Sequence, residues 1–325
     1  MGTETGVEKR LATLLTLLLL WTAWLPGTAR GAETKEVSFD GGPAGGTYLV
    51  FAEGLAELLN RKMPAVLITV NPSGGSITNL IRLDTGKIDM ALASVSDIEL
   101  GKNGRLEEYS VSLTRVRAVA RLYDEYAHLA VLENSSIRTL ADLKGKRVAV
   151  GTRGSGTYAA ARRFFRSVGM WEEIKPEYAS FDLVVKDFLS GQVEAVWQVV
   201  GYPSASLKEI CRHTSLRLID LSKAADGSDF YTEHPYYSPG TIPAGAYSCV
   251  DAEAKTFRDQ AVWVASKKVK DQIVFEALSH IFSAEGLKEM QNVHPTGREL
   301  NPDKAARDLA IPFHPGAKRY WESRE

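Results

Sequence analysis

The sequence is poor in the residues that usually announce chemistry. Its 325 residues include two cysteines and six histidines. None of His128, His213, His234, His280, His294 and His314 falls in H-E-x-x-H spacing or pairs with another at metal-ligand spacing, so no metal centre is legible. G-x-S-x-G and S-x-x-K are both missing, which removes the common nucleophile templates. There is no long basic run, and the formal net charge is −1, so nothing points to nucleic acid. Beyond the N-terminal stretch, no segment is long and apolar enough to cross a bilayer. Cys211 and Cys249 allow one disulfide or two buried thiols, and spacing does not choose between them.

What is present begins with an export signal. Lys9 and Arg10 precede an apolar stretch from Leu11 to Pro26, and small residues follow. Residues 1–31 read as a signal peptide cleaved near Ala29 to Ala32, with a short membrane anchor as the alternative. No cysteine follows it that would carry a lipid. The expected location is the periplasm, where free NAD and ATP are not normally met.

The most informative stretch is Lys146-Arg147-Val148-Ala149-Val150-Gly151-Thr152-Arg153-Gly154-Ser155-Gly156-Thr157-Tyr158-Ala159. It reads as a short buried strand, a glycine loop and a helix start, with Ser155 and Thr157 as N-cap residues. The first N–H groups of a helix lack internal partners, and the dipole makes that end partly positive. Such a loop suits a carboxylate or a phosphate. Walker A spacing fails, because no lysine stands between Gly156 and Thr157. Gly154 to Ala159 also fit G-x-G-x-x-A, a weak dinucleotide pattern on its own.

An echo makes the loop more than a turn. Val37 to Tyr48 repeat the same order of strand, glycine loop and Gly-Thr-Tyr, with Thr47 and Thr157 110 residues apart. Gly86-Lys87-Ile88-Asp89-Met90-Ala91 parallels Gly191-Gln192-Val193-Glu194-Ala195-Val196 at an offset of 105. Two motifs recurring in order argue for a duplicated α/β unit. Each copy aims a helix N-terminus at a shared cleft, a favoured place for small ligands. Ser96 and Asp97 follow a strand end, where open α/β sheets collect ligands. Asp97 reads equally well as an N-cap. Trp197 and Gln198 hold the matching place in the second copy, where Trp197 reads as core or as cleft wall. Arg153 reads as a solvated loop charge before an anion partner. Residues 224–243, rich in Gly, Ser, Asp, Pro and Tyr, read as an irregular crossing loop.

Taken together, Gly46-Thr47-Tyr48, Pro72-Ser73-Gly74-Gly75-Ser76, Gly86-Lys87-Ile88-Asp89-Met90-Ala91 and Leu140-Ala141-Asp142-Leu143-Lys144-Gly145-Lys146-Arg147-Val148 form an ordered set. Gly154-Ser155-Gly156-Thr157, Ile242-Pro243-Ala244-Gly245 and His314-Pro315-Gly316-Ala317 complete it. In that order the chain resembles the TAXI-type solute receptors of tripartite ATP-independent periplasmic (TRAP) transporters. It departs from that pattern near Val95, where a glutamine is more usual, and over Glu194 to Gln198, where an aspartate and aromatics are usual.

The resemblance implies an α/β, two-lobed periplasmic-binding-protein fold of type II (Venus flytrap) with two crossover connections. Lobe 1 would take residues 32–120 and 241–325, and lobe 2 residues 121–240. It implies no enzyme activity and no cofactor. The partners would be a small organic anion, a glutamate-like amino acid or a dicarboxylate, and TRAP permease subunits in the membrane. The residues expected to bind are Gly46, Thr47, Tyr48, Ser76, Ser96, Asp97, Ser155, Gly156 and Thr157, with Asp97 as the acceptor for an ammonium or hydroxyl group. Trp197 and Gln198 would wall the pocket. The competing readings are an exported dinucleotide-dependent oxidoreductase and a binding protein for an ABC importer or a sensor kinase.

Overall fold

A computed structural model describes residues 34–106, 109–110, 112–307 and 309–324. The signal peptide expected over residues 1–31 lies outside them.

The chain runs through Lys35–Asp40 (β1), Thr47–Lys62 (α1), Val66–Asn71 (β2), Ser76–Asp84 (α2), Met90–Ser94 (β3) and Val95–Lys102 (α3). The long strand Val116–Leu132 (β4) follows. The pattern then repeats as Arg147–Ala149 (β5), Gly156–Ser167 (α4), Lys175–Glu177 (β6), Phe181–Leu189 (α5), Ala195–Val200 (β7) and Ala205–Cys211 (α6). After Leu216–Leu218 (β8) come Ser222–Asp226 (α7), Phe230–Glu233 (α8), Ser238–Ile242 (β9) and Ala254–Ser266 (β10). Asp271–Ile281 (α9), Ala284–Val293 (α10), Pro302–Ala305 (α11) and Pro315–Glu322 (α12) close the chain.

The sheet carries the duplication. Its main path is β2-β1-β3-β10-β4-β7-β5-β6, so the two copies flank a central pair in mirrored order. β1 is parallel to β3, and β5 is parallel to β7 and β6. β10 and β4 are antiparallel to each other and to β3 and β7, their respective outer neighbours. Both are long enough to belong to the two halves at once. One end of the pair lies against β3, and the other end lies against β7, β8 and β9. Most of their residues are buried on both faces, as in α/β sheets covered on both sides.

The halves have separate cores. In the first, Phe51, Leu55, Leu58 and Leu59 of α1 form one helical stripe against Phe39, Tyr123 and Trp263. In the second, Phe164, Phe165 and Trp197 meet Phe230, Tyr237 and Phe257 in an aromatic cluster. That cluster explains a difference from the sequence reading. Residues 224–243 are not an irregular loop, because burying Phe230 and Tyr237 folds them into α7, α8 and β9, and β9 pairs with β10. β4 continues unbroken from Val116 to Leu132, through Asp124 and Glu125. Cys211 and Cys249 form a disulfide that ties the end of α6 to the segment before β10.

Candidate functional site

The two glycine loops lead from strand ends into helix starts, and both face one pocket. It encloses about 560 Å³ of atom-free space, part of it open to solvent. Its wall includes Gly46, Thr47 and Tyr48 at the start of α1, Gly75 and Ser76 at α2, Ser155, Gly156 and Thr157 at α4, and Ser180 and Phe181 at α5. Four helix N-termini therefore converge, two from each half of the sheet. The N-caps of α1, α2 and α5 supply no side-chain hydrogen bond to their first turns. Only Ser155 caps in that way, accepting from the N–H of Tyr158 at 3.1 Å. Each uncapped first turn keeps peptide N–H groups without helical acceptors.

The halves meet closely across this pocket. The N–H and hydroxyl of Thr78 donate to the carbonyl of Gly154 at 3.1 and 3.2 Å. Gly75 sits at φ +100°, and a Cβ there would lie 3.3 Å from Cβ of Ser155. Glycine is required at that position both for its backbone and for the approach of the opposite loop. A Cβ on Gly156 would meet Oδ2 of Asp97 at 3.0 Å and Cβ of Ser76 at 3.1 Å.

Of the eleven residues expected from sequence, seven line this pocket: Gly46, Thr47, Tyr48, Ser76, Ser155, Gly156 and Thr157. Their hydroxyls, however, are already engaged. Thr47 donates to the carbonyl of Gly201 at 3.1 Å, and Thr157 to that of Val199 at 3.4 Å. Ser76 bonds Ser94, Ser155 donates to Thr152, and Tyr48 donates to Oε2 of Glu125 at 2.7 Å. The uncapped first turns add peptide N–H groups to the wall, beside the hydroxyl of Thr152.

The other four lie behind the wall. Asp97 is fully buried and pairs with Arg163 of α4 at 2.7 Å, while Oδ2 accepts from Ser94. Ser96 accepts from the same guanidinium at 3.1 Å. The role of ammonium acceptor expected of Asp97 is thus occupied by a cation of the protein itself. Trp197 is 1% exposed in the aromatic core, with its indole N–H on the carbonyl of Thr157. Gln198 is fully buried on Ser204 and Ser206. Neither walls the pocket. Arg153 lies over the ring of Tyr178, 4.4 Å from its centroid.

Sequence reasoning missed the floor. Glu125 of β4 and Asp259 of β10 are direct cross-strand partners, and both line the pocket. Burial, and then the neighbouring Asp259, push Glu125 well above the carboxylate range against the opposing bond from Tyr48. Burial pushes Asp259 up to about 7, although the N–H groups of Ser96 and Gln260 bond its Oδ1. The available signal was acids set inside apolar strands, Asp124-Glu125 in β4 and Asp259 in β10. Among the described lining residues there is no Lys, Arg or His. Among the described residues no group of three or more His, Cys, Asp or Glu is placed to hold a metal.

Comparison with known proteins follows this geometry. The pattern of the NMT1-like family matches residues 39–324. Among solved structures the chain is similar to one described as a periplasmic transporter, at 13% identity over 89% of this chain and 95% of that one, with a TM-score of 0.53. It is also similar to a protein described as an L-cystine ABC transporter of Listeria monocytogenes, at 15% identity over 82% and 98%, with a TM-score of 0.51. At such identities the likeness is one of fold, the two-copy α/β arrangement of periplasmic binding proteins.

Proposed function

This chain belongs to the NMT1-like family, and from that premise and the pocket we propose that it is an exported solute receptor for a small organic anion. The anion, a glutamate-like amino acid or a dicarboxylate, would be held between lobe 1, residues 32–120 and 241–325, and lobe 2, residues 121–240. The receptor would hand it to a TRAP permease in the membrane. The observation that carries the reading is the convergence of four helix N-termini on one pocket with no cationic side chain among its described lining residues. An anion there gains charge-assisted bonds from peptide N–H groups, about 1.5–3 kcal/mol each. Closing the halves excludes water and strengthens each of them.

The dinucleotide reading has less support. The carbonyl of Gly154 receives Thr78 from the opposite half, so the loop is covered where a pyrophosphate would lie. β6 is three residues long and contains Pro176, a poor platform for the acidic residue that would bind a ribose. Delivery to an ABC importer, as described for the Listeria protein, is the alternative for the partner. A large multi-span permease gene beside this one favours TRAP delivery, and an ATPase gene beside it favours the other.

Calorimetric titration with a panel of small acids tests the anion claim. Saturable heat with a carboxylate supports it. Silence from every carboxylate, together with tight binding of a neutral or cationic compound, refutes it.

A further inference from the structure

The acidic floor says more about the solute than the helix ends do. Glu125 is 4% exposed and Asp259 is 2% exposed. Each uses one oxygen within the protein, Oε2 for Tyr48 and Oδ1 for the N–H groups of Ser96 and Gln260. Oε2 of Glu125 is taken by Tyr48 and its Oε1 has no hydrogen-bond partner among the described residues; the Ser96 side chain also bonds Asp259, and both carboxyls line the pocket. Arg163, the guanidinium set against this region, is held by Asp97, Ser96 and Tyr237. Two adjacent buried carboxyls, that of Glu125 with a free oxygen, match the donor set of a primary ammonium group, whose three N–H bonds diverge.

We infer that Glu125 and Asp259 form an ammonium subsite, so that the solute is a small zwitterion, with its carboxylate at the helix N-termini and its amine on the hinge strands. This rests on the anion reading of the same pocket and narrows it: a dicarboxylate without an amine leaves the acidic pair unanswered. It also moves the ammonium role from Asp97 to a pair on the strands shared by both halves.

Binding is then linked to a proton. The groups facing the pair are Tyr48 on α1, Asp97 on α3, Arg163 on α4, and Tyr236 and Tyr237 before β9, with Asp124 beside Glu125 on β4. Burial holds Asp259 near 7 and lifts Glu125 well above the carboxylate range, so at neutral pH the two hold protons between them. An arriving ammonium favours the ionised form and expels a proton. Affinity therefore rises with pH through neutrality, by about tenfold between pH 6 and pH 8 for one group titrating near 7.

The test is calorimetry on the purified protein with the common amino acids and their deaminated counterparts, such as L-glutamate against glutarate and L-alanine against propionate. Titrations in buffers of different ionisation enthalpy count the protons. The expected result is an amino acid that binds roughly tenfold to a hundredfold more tightly than its deaminated partner, with proton release near neutral pH. Asp259→Asn should weaken the amino acid by tenfold or more and the deaminated acid by less than threefold. Should that variant fail to fold, the paired ligands and the proton count on the unaltered protein still decide. A deaminated acid that binds as well as its amino acid, or proton uptake on binding, overturns the ammonium subsite and leaves the anion reading standing. Binding by neither class, with a neutral or purely cationic compound bound instead, overturns both.

Discussion

Arg163→Met is the perturbation that asks most of this structure. Arg163 lies on α4 in the second copy, and Asp97 lies on α3 in the first. Their side chains are 5% and 0% exposed, and the guanidinium also serves Ser96 and Tyr237 at 3.1 and 3.0 Å. Methionine preserves much of the apolar stem but leaves Asp97 with only the Ser94 hydroxyl, at 3.0 Å. Removing one partner of a buried ion pair costs about 3–5 kcal/mol. The two ends sit on different halves, so opening the cleft returns Asp97 to water and relieves the penalty. The cost therefore falls on closure, and solute affinity should drop by about a hundredfold to a few thousandfold. The same reasoning requires compensation: adding Asp97→Leu removes the stranded charge and should recover most of the loss. Calorimetry with the tightest-binding small acid gives the affinities, and solution scattering with and without it reports closure. A single variant that binds and closes like the parent would refute the latch, as would a double variant no better than the single one.

Three further outcomes follow from the same contacts. Gly156→Ala places a methyl group 3.0 Å from Asp97 and 3.1 Å from Ser76, both across the cleft, so affinity should fall about tenfold while thermal stability of the ligand-free protein is unchanged. Cys211→Ser opens a bridge between residues 38 apart in sequence, and denaturant titration should show a loss of about 3–4 kcal/mol with no change in ligand preference. Trp197→Ala removes an indole packed on Phe164, Phe165 and Phe257 and should cost about 3–5 kcal/mol of stability, but because the ring does not reach the pocket, the order of ligand affinities should stay the same.

The duplication was legible because it is local. A strand, a glycine loop and a Gly-Thr-Tyr helix start declare themselves within a dozen residues, and each copy folds as its spacing suggests. What was not legible depends on partners distant in sequence. Asp97 looked like a ligand acceptor because nothing nearby pairs with it, whereas its cation lies 66 residues away. Glu125 and Asp259 are 134 residues apart and become one feature only through the register of β4 on β10. Trp197 follows the same rule: its place in the second copy resembles a cleft wall, but Phe230 and Phe257 arrive later in the chain and enclose the second core. Hydroxyls were the natural donors to expect at helix starts. The fold uses them to fasten the helix starts to neighbouring strands, to Gly201 after β7, or to their own loop.

The same helix starts bear on how the protein would close. The N-termini of α1 and α2 face those of α4 and α5, and each carries a partial positive charge. Bringing four such ends together around a dry pocket is unfavourable unless something negative lies between them. The protein's own acids do not serve, because Glu125 and Asp259 sit on the crossing strands and burial favours their neutral forms. A solute carboxylate would supply the missing charge, and its differential affinity for the closed state is what would shift the population toward closure. The Arg163–Asp97 pair acts in the same direction, and both of its members belong to the protein itself. The latch would therefore set how readily the halves meet, and a bound anion would set whether they stay together.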